Sequence, residues 1–141
     1  DALLLYKMAE KQFSSDSIIF YGKSFGTGVA TELASHAGGK RLILETPYYS
    51  LPSLASAFLP VYPTASRLQY KFSVHEYLPF VKIPVTIFHG TEDGVIPYSN
   101  AEQLRPLLKT GDEFITIEKG SHNDLSTFEL YQQKLDSLLN H

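Results

Sequence analysis

Ser24 sits inside Gly22-Lys23-Ser24-Phe25-Gly26, directly after the apolar run Ile18-Ile19-Phe20-Tyr21 and directly before Thr27-Gly28-Val29-Ala30. Gly-x-Ser-x-Gly between a strand and a helix is the sequence form of a sharp turn that presents a serine as a nucleophile. Glycine is expected at 22 and 26 because a side chain there would collide with the neighbouring strand or helix. The turn lifts the Ser24 hydroxyl out of the sheet. It also aims the backbone N–H of Phe25 at the place where an oxyanion would form. A serine hydroxyl is a weak nucleophile without a base, and the base needs an acid to orient it. Two downstream residues fit those roles. Asp93 lies in His89-Gly90-Thr91-Glu92-Asp93-Gly94, just past the apolar run 85–88. His122 lies in Lys119-Gly120-Ser121-His122-Asn123, just past the run 114–118. The expected chemistry is acyl transfer, with Ser24 as nucleophile, His122 as general base and Asp93 as its orienting acid.

Other residues compete for these roles. Glu45 also ends a predicted strand and remains the alternative acid. Glu92 is expected to point into solvent. Asp124 reads as a helix N-cap or a surface group, and His89 as a packed histidine at a strand end. Lys23 could pair with Glu45 or meet an anionic substrate, but the expectation is a solvated ammonium on a packed stem. Gly22-Lys23-Ser24 is not the end of a phosphate loop, because the position that needs the first glycine holds Ser17. The dinucleotide fingerprint fails because Thr31 stands where its third glycine belongs. The five histidines have no zinc-like spacing, so no metal and no cofactor are implied.

The elements that must position these residues follow from periodicity. Strands are predicted over 17–21, 41–45, 85–89 and 114–118, and helices over 2–13, 27–36, 99–108 and 126–139. The run 17–21 is expected to be buried on both faces, as in a parallel sheet. Alternation of strands and helices predicts an α/β fold, a parallel sheet flanked by helices. Residues 47–84 break the alternation with six prolines and many aromatics, and are expected to be short helices forming a lid-like insertion over the serine turn. At 141 residues the chain suffices for one domain, residues 1–141. A net charge of −3 gives no basic footprint for nucleic acid. Cysteine is absent, which fits a reducing compartment, so a cytoplasmic location is the expectation. No apolar run is long enough to cross a bilayer.

The order Ser24, Asp93, His122, each at a strand end, is that of the α/β-hydrolases. Tyr21 to Ala30, His89 to Pro97 and Gly120 to Asn123 resemble one branch of that superfamily. The branch holds serine-aminopeptidase-like and protein-depalmitoylating hydrolases. The resemblance covers nearly the whole chain, and its most specific parts are the serine turn and the Asp93 turn. Members commonly carry Arg where this chain has Lys23 and Leu where it has Phe25. The resemblance implies a serine hydrolase acting on an ester, thioester or amide of a small or acylated substrate. It also implies that the chain is the C-terminal portion of the fold, lacking N-terminal strands. Those strands normally supply a second oxyanion N–H, leaving Phe25 as the donor here. An open sheet edge would then remain, suited to a homodimer or to a missing N-terminal portion as partner. The rival class is a catalytically incomplete binding module that pairs with another chain through that edge.

Overall fold

A computed structural model describes residues 2–58 and 73–140. Helix α1 (Ala2–Glu10) leads through a 3-10 turn (Ser15–Ser17) into β1 (Ile19–Lys23) and α2 (Gly26–His36). Strand β2 (Arg41–Glu45) is followed by α3 (Leu51–Phe58), α4 (Val74–Tyr77) and a 3-10 turn at Leu78–Phe80. Then come β3 (Val85–Gly90), α5 (Tyr98–Glu102), β4 (Glu113–Ile117) and α6 (Glu129–Asn140). Among the described residues the strands form one sheet in the order β1-β2-β3-β4, every pair parallel. Parallel neighbours need a crossover between them, and the intervening helical segments supply it.

Alternation of side chains along the strands splits the core into two layers. Phe20, Leu42, Leu44, Val85 and Ile87 face one layer, with Ala30 and Ala34 of α2 and Tyr48, Val74 and Leu78 from the segment between β2 and β3. Ile43, Phe88, Ile115 and Ile117 face the other, with Tyr131 and Leu138 of α6. The inner strand β3 is buried at all six residues, the polar Thr86 and His89 included, which accounts for the apolar Val85, Ile87 and Phe88 on both of its faces.

Two glycines set close approaches near the strand ends. A Cβ at Gly22 would meet the Gly26 carbonyl oxygen at 2.7 Å and Ala30 Cβ at 2.8 Å, so Gly22 lets α2 lie tight against β1. A Cβ at Gly90 would strike the Gly120 carbonyl, so Gly90 lets the loop after β4 close over the end of β3. A Cβ at Gly26 would meet nothing within 4 Å, so the expected collision applies to Gly22 and not to Gly26.

The structure corrects several sequence expectations. Strand β1 alternates between buried and open positions, with Tyr21 47 % exposed, because it is the sheet edge among the described residues. Helix α1 ends at Glu10, three residues short of 13, although Gln12 and Phe13 still donate to the Ala9 carbonyl. It buries Tyr6 and leaves Leu4, Leu5 and Met8 exposed. The expected helix 99–108 stops at Glu102, and Arg105–Leu107 is a separate 3-10 turn. Pro106 within it carries no N–H to continue a helix. At the start of α6, Leu125–Thr127 form a 3-10 turn in place of the expected first helical residues. Within the expected lid, α3 and α4 are helical and Tyr48, Leu54, Val74, Leu78 and Val81 join the core. Pro60, Tyr62, Pro63, Tyr70 and Phe72 lie outside the described residues.

Candidate active site

Ser24 follows the last residue of β1 and adopts φ 51, a left-handed conformation that an L-residue rarely takes. The surroundings hold it there. Ser24 N–H donates to the Glu45 carbonyl at 2.9 Å, extending the β1–β2 ladder one residue beyond β1. Its own carbonyl accepts Thr27 N–H at 3.0 Å and the Thr27 hydroxyl at 2.6 Å. The chain therefore turns from strand to helix at this serine. Phe25 is the N-cap of α2, where helix geometry leaves N–H groups without intrahelical partners. Its side chain is exposed and lies beside the buried Tyr48 ring, with centroids 5.9 Å apart.

Asp93 follows β3 in a tight turn. Its Oδ1 accepts the N–H groups of Val95 at 2.9 Å and Ile96 at 2.8 Å. This is an Asx turn, in which the side chain mimics a backbone turn and is fixed by it. Oδ2 is thereby directed at His122, whose Nδ1–H donates to it at 2.8 Å. The other ring nitrogen, Nε2, accepts the Ser24 hydroxyl at 3.0 Å. With Nδ1 protonated toward the carboxylate, Nε2 carries the free lone pair, which is the tautomer a base for Ser24 needs.

His122 owes its place to contacts between the loops after β3 and β4. Thr91 N–H donates to the Ile117 carbonyl at 3.1 Å, and Glu92 N–H to the Gly120 carbonyl at 2.9 Å. Lys119, at φ 62, returns its N–H to the Thr91 hydroxyl at 2.8 Å. Asp124 accepts Ser121 N–H at 2.7 Å and closes the short turn that carries His122. Sequence reasoning missed Thr91 and Gly120, whose contacts cross between loops distant in sequence. The Asp124 carboxylate was legible only as a generic cap.

The competing residues fall elsewhere. Glu92 is exposed. The Glu45 carboxylate is taken by Lys23 at 2.7 Å, by the Tyr131 hydroxyl at 2.7 Å and by the Tyr21 hydroxyl. Lys23 is thus paired and not merely solvated. The parallel register sets Lys23 opposite Glu45, which places the two side chains on one face. His89 is fully buried, and its Nε2–H donates to the Ile96 carbonyl at 2.9 Å. Among the described residues no cluster of three His, Asp or Glu could hold a metal ion. Among them, too, no helix is long and apolar enough to cross a membrane.

Burial holds the His89 imidazole below its ordinary value of 6.5, against the Ile96 carbonyl and Asp93, which favour the cation. The unfolded chain therefore binds a proton that the native state refuses once pH falls below 6.5, and stability falls with it. One such proton gives a slope of about 1.4 kcal/mol per pH unit at most. His89→Gln keeps an N–H for Ile96 and removes the titration. Urea midpoints measured from pH 7.5 to 5 should fall more steeply for the native protein than for this variant.

No family model matches the chain. The chain is 28% identical over 143 residues to the alpha/beta hydrolase domain-containing protein aho-3 of Caenorhabditis elegans, covering 99% of this chain and 41% of that protein. It is 30% identical over 131 residues to alpha/beta hydrolase domain-containing protein 17C of Mus musculus, covering 91% of this chain and 39% of that protein. The chain thus spans about two fifths of the length of these curated relatives. An esterase of Pyrococcus furiosus superposes with a TM-score of 0.74 at 18% identity, over 99% of this chain and 59% of the esterase. The acylaminoacyl peptidase of Pyrococcus horikoshii superposes with a TM-score of 0.71 at 16% identity, over 96% of this chain and 26% of the peptidase. The parallel sheet, its helical layers and these matches along nearly the whole sequence agree: the chain belongs to the α/β-hydrolase superfamily.

Proposed function

We propose that this chain carries the catalytic centre of a serine hydrolase that cleaves an ester, thioester or amide through an acyl-enzyme. The observation that carries the proposal is the unbroken line Asp93 Oδ2, His122 Nδ1, His122 Nε2, Ser24 Oγ, with links of 2.8 and 3.0 Å. Ser24 Oγ attacks the carbonyl carbon while His122 Nε2 takes its proton. The oxyanion that forms is met by the N–H of Phe25 at the head of α2. The His122 imidazolium is stabilised by Asp93 and returns the proton to the departing alcohol, thiol or amine. Water then attacks the acyl-serine with His122 again as base, and Ser24 is released. The esterase and peptidase of the same fold support acyl transfer as the reaction class. The resemblance of the Ser24 and Asp93 turns to depalmitoylating and aminopeptidase-like hydrolases supports this range of leaving groups. A fluorophosphonate probe tests the proposal. Label is expected on Ser24 and located by peptide mapping. A folded protein that stays unlabelled contradicts the catalytic reading.

A second reading rests on the open edge. Among the described residues β1 pairs on one side only, and an apolar groove of ≈ 530 Å³ runs beside it, lined by Leu5, Tyr6, Ile18, Tyr21, Val29 and Leu33 among others. An unpaired strand edge with apolar surroundings favours addition of another strand. On this reading the chain associates through β1 with a second copy. Sedimentation at micromolar concentration is expected to show a species larger than one chain. A single monomeric species with cooperative thermal unfolding would show that the edge is already covered.

A further inference from the structure

We infer that Glu45 is a positioning residue that fixes the Ser24 turn relative to the segment bearing His122. It rests on the catalytic reading of Ser24 and His122, and it gives Glu45 a role other than that of a triad acid.

Glu45 touches the site through both its main chain and its side chain. Its carbonyl accepts Ser24 N–H at 2.9 Å. Its Oε1 lies 2.7 Å from the ammonium of Lys23, the residue directly before Ser24. Its Oε2 accepts the hydroxyls of Tyr21, on β1, and of Tyr131, on α6. The two tyrosine oxygens lie 3.2 Å from each other. Tyr131 is held in turn by its ring against Phe88 of β3, with centroids 4.8 Å apart. Helix α6 continues the segment that carries His122, so one carboxylate ties the strand leading into the nucleophile to the helix that follows the base.

The chemistry of these contacts calls for an acid at this position. Three donors, an ammonium and two hydroxyls, converge on the carboxylate of a residue that is only 2 % exposed. A carboxylate accepts from all three, whereas a carboxamide has one acceptor oxygen, and its NH2 faces either the ammonium, which cannot accept, or the two hydroxyls, which must then turn from donors into acceptors. Burial opposes ionisation of Glu45, but Lys23 and the hydroxyls of Tyr21 and Tyr131 outweigh it and hold the carboxyl below its ordinary value. A buried ion pair is by itself weak grounds for stability. Here its position matters more, because Ser24 holds a left-handed backbone that persists only where neighbouring contacts over-determine it.

The test compares Glu45→Gln with the native protein by two readouts. The first is the rate of fluorophosphonate labelling as a function of probe concentration. A displaced Ser24–His122 pair lowers the limiting rate by about a hundredfold and leaves the half-saturating concentration unchanged. The second is the 15N signal of His122 Nε2, which reports its bond to Ser24 whether or not the protein turns over. In Glu45→Gln it should move toward the value seen in Ser24→Ala, where that bond is absent. A Glu45→Gln protein that labels at the native rate, with the native Nε2 signal, overturns the inference. If the native protein does not label, the catalytic reading fails, and the Nε2 signal alone then decides for or against Glu45. Should Glu45→Gln not fold, Tyr131→Phe removes one donor with its ring intact, and the same two readouts apply with a smaller shift in the same direction.

Discussion

Ser24→Ala is expected to lower turnover of short p-nitrophenyl esters by about a millionfold, on the scale seen when a serine nucleophile is removed from a triad. The fold should survive. Ser24 Oγ makes its described bond to His122 alone, while the backbone bonds to Glu45 and Thr27 do not involve the removed oxygen. Alanine meets the same left-handed backbone cost as serine at φ 51. Thermal midpoints of variant and native protein should therefore lie within a few degrees of each other. Equal turnover in the two proteins would remove Ser24 from the reaction.

Asp93→Asn should lower kcat by about ten-thousandfold and leave weak residual activity. The structure gives the direction of this effect. Val95 and Ile96 both donate backbone N–H groups to Oδ1, so the amide oxygen of asparagine must take that place. Its NH2 group then faces His122 Nδ1, where the carboxylate oxygen stood. His122 can answer only by moving its proton to Nε2, and a protonated Nε2 cannot accept from Ser24. The nucleophile and its turn stay intact, so binding of a substrate-like inhibitor should change little. A kcat close to the native value would show that Asp93 is not the orienting acid.

The sequence made the sheet and the polar residues at its strand ends readable, for a physical reason. Leu42, Ile43 and Leu44, and Val85, Ile87 and Phe88, make up the cores of two strands buried on both faces, and the shortness of these runs favours strand over helix. Ser24, Asp93 and His122 each stand directly after a strand or one short turn later, so placing the strands brought them to the same end of the sheet. What escaped depended on register and on contacts across loops. The sequence offers a Lys23–Glu45 pair beside a solvated lysine, and only the opposition of the two residues in the β1–β2 ladder decides for the pair. Thr91 and Gly120 hold the Asp93 and His122 loops together through backbone bonds and the Thr91 hydroxyl, contacts between segments too far apart in sequence to leave a local pattern. The half-open character of β1 followed from its edge position, while its composition reads as fully buried. The helix predicted over 99–108 carries Pro106 in its interior, where the ring has no N–H for the Glu102 carbonyl, and α5 ends at Glu102 instead.

Rapid quench of the protein with p-nitrophenyl acetate, followed by peptide mapping, tests the central claim most directly. An acyl-enzyme requires the acetyl group to appear on Ser24 before steady-state release of acetate, with a rate that saturates in substrate. The geometry of Asp93, His122 and Ser24 predicts that result, together with its loss in Asp93→Asn. Turnover of the ester with no acetyl group on Ser24 at any time would contradict it.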